Sequence, residues 1–151
     1  MSLIRNILTP HSILLDNESA SKKRVFERVG ILFENLHGIA RSQVFDSLFA
    51  REKLGSTGLG QGVAIPHGRI KGLRDAVGAF VKLAHPIPFD APDGQPVHFI
   101  FVLLVPERAT DMHLQLLGEL AQMFSDASFR ARLQATDDAD ALYRLFADWP
   151  A

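Results

Sequence analysis

From Gly55 to Arg69 the chain reads Gly-Ser-Thr-Gly-Leu-Gly-Gln-Gly-Val-Ala-Ile-Pro-His-Gly-Arg. No helix survives such a stretch. Glycine costs a helix backbone entropy, and Pro66 removes a donor and clashes with the preceding turn. What remains possible is a glycine-dense turn feeding a short apolar strand, Val63 to Ile65, that ends at a histidine. Pro66 stiffens the backbone entering His67, and Gly68 removes bulk just after it. The imidazole is therefore expected at a strand end, on a rigid support, open to a large incoming partner. Neutral imidazole is a nucleophile at physiological pH. Arg69, with Arg51 and Lys53 upstream, supplies positive charge for an anion. The local chemistry points to a histidine that receives a phosphoryl group.

Composition narrows the classes. With 151 residues, 47% hydrophobic and 22% charged, residues 1–151 are expected to form a single domain with a proper core. A formal net charge of −1 provides no bulk field toward nucleic acid or anionic lipid. The absence of cysteine excludes disulfides, thiolate metal sites and a cysteine nucleophile. The N-terminus lacks the apolar core and small-residue cleavage site of a signal peptide. The longest apolar run, Phe99 to Val105, is too short to span a bilayer. These readings lead us to expect a soluble, cytoplasmic protein without membrane insertion.

Periodicity changes along the chain. Residues 1–18 read as an extended lead-in with a short strand at Ile13–Leu15. Ser19 or Ser21 caps a helix that runs to about Leu36, with Val25, Phe26, Val29, Leu32, Phe33 and Leu36 at helical spacing and Gly38 as a left-handed stop. A second helix is predicted from Ser42 to Lys53, burying Val44, Phe45, Leu48 and Phe49. The period then becomes two: Val63–Ile65, Ala76–Ala84 and Val97–Val105 are strand candidates, the last apolar enough to be buried on both faces. Pro86, Pro88, Pro92 and Pro96 mark a long loop around the Asp93-Gly94 turn. Helices return at Met112–Phe124, about Ser128–Leu133, and Asp138–Ala147. Helices, strands, then helices suggest a mixed sheet covered on both faces.

Rival chemistries fit less well. A Walker A loop needs Gly-Lys-Ser/Thr, which is missing, and a dinucleotide fingerprint needs strand, glycines, then helix, the reverse of the order here. His67, Glu107, Asp111 and His113 are metal-ligand types, but no pair has the His-Glu-x-x-His spacing. No Gly-x-Ser-x-Gly elbow exists for a serine hydrolase. Among the six histidines, His11 and His37 read as surface residues, and His85 and His98 as structural or surface residues. His113 falls in the first turn of a helix, where free N–H groups suit a phosphate; it reads equally as a capping or half-buried histidine. Arg51 is either a cation at a helix C-terminus or a bidentate phosphate grip, with Glu52 able to orient it. Ser56 and Thr57 hydroxyls and loop N–H groups offer bonds to phosphate oxygens.

The run Phe49-Ala50-Arg51-Glu52-Lys53-Leu54-Gly55 through Pro66-His67 resembles the phosphohistidine region of the fructose/mannitol-type IIA proteins of the bacterial phosphotransferase system. The similarity extends to the opening Ile-Leu-Thr-Pro and to Met112-His113-Leu114-x-x-Leu117-x-x-Leu120-Ala121, and within the family it is greatest to the nitrogen-related IIA regulators. The resemblance implies an α/β fold in which a mixed, about five-stranded sheet lies between helical layers. It implies that His67 accepts a phosphoryl group, at Nε2, from a phosphohistidine on a small HPr-like carrier. Arg51, His113, Ser56, Thr57 and Gly68 are then the candidate phosphate-stabilising residues, and no metal or other cofactor is required. It further implies regulation of nitrogen, carbon or potassium status through partner proteins, by family analogy a potassium transporter or sensor kinase. The alternative is transfer to a separate sugar-specific IIB protein.

Overall fold

The computed structural model describes residues 2–108 and 110–150. Its centre is the apolar run at 97–106. This strand, β6 (Val97–Pro106), is flanked on both edges and covered on both faces, which is why it needs no polar alternation. Its side chains divide between two cores. Ile100, Val102 and Leu104 pack toward helices α1 (Lys22–His37) and α2 (Arg41–Glu52). Phe99, Phe101, Leu103 and Val105 pack toward helices α3 (Thr110–Ser125), α4 (Ala127–Gln134) and α5 (Ala139–Ala147). The second core is rich in aromatic edge contacts: Phe146 meets Phe80 at 4.9 Å and Phe129 at 5.3 Å between centroids. Burying each such ring stabilises the fold by about 1.5–3 kcal/mol.

Among the described residues the sheet has six strands in the order β1–β5–β6–β3–β2, with β4 also on β6. Strand β5 (Val77–Ile87) runs antiparallel to β6, and β1 (Ile13–Asp16) pairs with β5 in parallel. On the other edge of β6 lie two short segments, β3 (Val63–Ala64) and β4 (His67–Ile70), both parallel to it. Val63 faces Phe99 and His67 faces Leu103, so Ile65 and Pro66 interrupt what is otherwise one edge strand. Strand β2 (Gly58–Gly60) closes that edge as an antiparallel partner of β3. The mixed sheet between helical layers agrees with the expected fold class; the three short segments around the glycines raise the strand number to six.

Local signals place most elements. Ser21 caps α1 by accepting from the Arg24 backbone N–H, and Gly38 ends it in the left-handed region at φ 69°. Asp138 caps α5 by accepting from Ala141. Two expectations are corrected. The lead-in is not extended: it forms 3-10 turns at Leu3–Asn6 and Pro10–Ser12 that anchor Ile4 and Leu8 in the second core. The loop of prolines begins later than expected, because β5 runs through Pro86, where the pairing register with β6 shifts between Lys82 and Ile87 and no ladder N–H is needed.

Candidate functional site

His67 opens β4, the segment that resumes the sheet edge after Pro66. Successive strand residues point to opposite faces, so Gly68 and Ile70 turn toward α1 and α2 while His67 and Arg69 turn away. Gly68 is needed for that arrangement. A Cβ there would lie 2.5 Å from Ser47 Oγ and 3.0 Å from Ser47 Cβ on α2. The missing side chain lets α2 close on β4, and Arg51 lies one turn beyond Ser47 on the same face of that helix. Gly68 thus acts through packing of the backbone against α2.

The imidazole is half-buried, and its Nδ1 is 2.9 Å from the carbonyl oxygen of Ile65. A carbonyl only accepts, so Nδ1 carries the proton. In the neutral ring Nε2 then holds the lone pair. Burial pushes the His67 pKa below its ordinary value of 6.5, and the positive charges of Arg51 and Arg69 push the same way. The Ile65 bond and the Glu52 carboxylate oppose them without reversing the direction. At neutral pH the ring is uncharged and nucleophilic at Nε2.

His113 comes from the other helical layer, in the first turn of α3. Its ring lies edge-on to His67, 5.1 Å between centroids at 67°. Its Nε2 is buried without a hydrogen-bond partner among the described residues. Burial lowers its pKa, and the neighbouring His67, Arg69 and Arg51 charges lower it further. Arg51 lies in the last turn of α2, where its Nη1 donates to the Gly55 carbonyl at 2.8 Å and so caps the turn that follows. Arg69 Nη1 donates to the Glu107 carbonyl at 2.7 Å, tying β4 to the segment that leads into α3. Sequence-distant residues 51, 67, 69 and 113 are thereby gathered at one end of the sheet.

Ser56 and Thr57 lie beside this cluster with their hydroxyl protons already donated. Ser56 Oγ donates to the Phe89 carbonyl at 2.7 Å and accepts from Gly58 N–H at 3.0 Å. Thr57 Oγ1 donates to the Glu52 carboxylate in a short bond, and its backbone N–H donates to the same oxygen at 3.1 Å. Glu52 does not orient Arg51, as the sequence suggested; its other oxygen accepts from Lys22 Nζ at 2.8 Å, and Lys22 sits 4.3 Å over the Phe89 ring. Nothing in the residue types pointed to the Ile65 carbonyl as the His67 partner, since a backbone acceptor leaves no residue-type signature. His98 packs instead on Gly62, where a Cβ would lie 2.5 Å from its ring. Among the described residues no three His, Asp or Glu side chains converge as metal ligands, and no helix is long and apolar enough to cross a membrane. A groove of about 470 Å³ between α1 and α2, lined by Arg24, Glu27, Arg28, Arg41 and Phe45 among others, shares none of these side chains.

Comparison with known proteins identifies the family. Residues 6–149 match the family described as phosphoenolpyruvate-dependent sugar phosphotransferase system, EIIA 2. The chain belongs to this family. It is 44% identical over 149 residues to a nitrogen regulatory protein of Pseudomonas aeruginosa, covering 98% of this chain and 97% of that one. The crystal structure of nitrogen regulatory protein IIA-Ntr from Neisseria meningitidis superposes with a TM-score of 0.91 at 52% identity, covering 96% of this chain and 99% of the other. The IIA mannitol structure from Escherichia coli shares the fold, with a TM-score of 0.78 at 22% identity over 93% of this chain and 99% of that one. Within the EIIA family the chain is thus similar to nitrogen regulatory proteins in both sequence and structure.

Proposed function

We propose that this protein is a phosphohistidine regulator: His67 Nε2 accepts a phosphoryl group from a phosphohistidine on an HPr-like carrier, and partners read the result. The observation that carries the reading is the bond from His67 Nδ1–H to the Ile65 carbonyl, which leaves Nε2 with its lone pair beside the charges of Arg51 and Arg69. In the transfer, the P–N bond to the donor imidazole breaks as a P–Nε2 bond forms. The bonding pair returns to the donor nitrogen, and each ring keeps the proton on its other nitrogen. The phosphorylated ring gains positive charge, which the Ile65 carbonyl stabilises.

Both ends of the transfer are imidazole nitrogens, so the step is close to thermoneutral and reversible. A loose transition state asks for positioning and charge stabilisation rather than covalent help. Arg51 is suited to the equatorial oxygens, and His113 Nε2, which has no partner among the described residues, to one hydrogen bond with them. Ser56, Thr57 and Gly68 serve the loop and the helix packing. Leu54, Met112 and Leu114 are exposed next to these residues in the chain, which suits docking of a protein donor rather than a small molecule.

Phosphorylation adds close to two negative charges. On a chain with a formal net charge of −1, that is a large local change at a docking face. Similarity to nitrogen regulatory proteins favours signalling through partner binding over onward transfer to a IIB protein. Incubation with the phosphorylated carrier, followed by mass spectrometry, tests the assignment. Wild type is expected to take one acid-labile phosphoryl group and His67→Ala none; stoichiometric labelling of the Ala variant overturns it.

A further inference from the structure

A hydrogen-bonded path leads away from the site and ends on a buried carboxylate. His67 Nδ1–H donates to the Ile65 carbonyl at 2.9 Å. Ile65 N–H donates to the Thr57 carbonyl at 3.0 Å. Thr57 in turn gives both its N–H and its hydroxyl to Glu52 Oε1. Arg51 instead donates to the Gly55 carbonyl at 2.8 Å, and Gly55 N–H donates to the main-chain carbonyl of Glu52 at 3.1 Å, a turn in which the carboxylate takes no part. The Glu52 side chain is only 4% exposed, and Lys22 Nζ at 2.8 Å supplies its counter-charge from α1.

We infer that Glu52 is a positioning residue for phosphoryl transfer, whose buried carboxylate holds the imidazole in place through Thr57 and Ile65. The inference rests on the reading of His67 as the acceptor. The physical argument is one of geometry. The segment from 53 to 62 is glycine-rich and short of apolar anchors, so its own packing does not fix where the Thr57 carbonyl points. A buried carboxylate with three donors does fix it, because leaving any of them unmet inside the protein is costly. Once Thr57 is set, Ile65 is set. The Ile65 carbonyl then selects the Nδ1–H tautomer and leaves the lone pair on Nε2. The carboxylate also favours the protonated ring, against Arg51 and Arg69, so its charge tunes the nucleophile as well as its place.

Glu52→Gln keeps the shape and removes the charge. Three measurements on the full chain test it: the His67 ring by nitrogen-detected NMR across pH, the transfer rate from phosphorylated carrier, and the KM for that carrier. Wild type is expected to show a single Nδ1–H tautomer. In Glu52→Gln both neutral tautomers are expected, the ring should titrate at lower pH, and kcat should fall by about 10- to 100-fold, the scale of a misplacement near 1 Å. KM should stay within about twofold, since a buried group does not touch the carrier. Thr57→Val, which removes one donor and no charge, should give the same tautomer mixture with a smaller rate loss, and it decides the matter if Glu52→Gln fails to fold. A folded variant with wild-type tautomer, titration and rate overturns the inference, as does one that only melts earlier. If wild type itself accepts no phosphoryl group, the functional reading fails, while the tautomer and titration still judge Glu52.

Discussion

Gly68→Ala tests the claim that the site depends on how closely β4 approaches α2. An added Cβ would sit 2.5 Å from Ser47 Oγ, 3.0 Å from Ser47 Cβ and 3.3 Å from the Ser47 carbonyl carbon. The hydroxyl can rotate away, giving up its bond to the Val44 carbonyl, but the Cβ and the backbone cannot. Ordinary carbon contacts lie near 3.5–4.0 Å, so strand and helix must part by roughly 0.5–1 Å. Overpacking of this kind costs about 1–3 kcal/mol. For a domain of this size each kcal/mol lowers Tm by about 2–4 °C. The same displacement moves His67 away from Arg51, and transfer should slow by up to about 100-fold. Denaturant unfolding and carrier-dependent phosphorylation would be measured on Gly68→Ala, Ser47→Gly and the double variant. Ser47→Gly alone should cost about 1 kcal/mol of helix stability, yet it should restore the partner position and rescue most of the Gly68→Ala loss. Additive losses in the cycle, or a Gly68→Ala protein as stable and as fast as wild type, would refute the reasoning.

Arg51→Ala and His113→Ala should each slow transfer by roughly 10²–10³ while the protein stays folded, the scale of losing one electrostatic stabiliser; single-turnover phosphorylation checks this, and rates within twofold of wild type for both would remove them from the site. Stability should depend on pH through His67, His98 and His113, whose pKa values burial holds below the ordinary 6.5. The unfolded chain binds more protons than the native state once pH falls below about 6.5, so the contribution is present above that value and is lost as pH falls toward the folded pKa values. Denaturant midpoints at pH 7.5 and 5.5 measure it, and a midpoint that holds or rises on acidification would contradict the assignment of burial as the cause.

Much of this molecule was legible in the chain. The helical stripe of Val25, Phe26, Val29 and Phe33, the Ser21 cap and the Gly38 stop act within a few residues of one another, so local spacing was enough to locate α1. The same holds for β6, whose unbroken apolar run required burial on both faces. The glycine–proline stretch likewise restricted the local backbone, and His67 opens a short strand just after it. Tertiary structure decided the rest, because it turns on distance in space. The split of β3 from β4, and the strand number with it, depends on pairing to β6, with Val63 opposite Phe99 and His67 opposite Leu103, rather than on any local propensity. Whether Arg51 serves the end of its own helix or an anion had no answer in sequence; the fold has it donate to the Gly55 carbonyl while its charge helps lower the His67 pKa. The hydroxyls of Ser56 and Thr57 looked free because their acceptors, the Phe89 carbonyl and the Glu52 carboxylate, became neighbours only on folding. His67's tautomer rests on a backbone carbonyl that every residue possesses, so only the fold, by placing Ile65 O at 2.9 Å, puts the proton on Nδ1 and leaves the lone pair on Nε2.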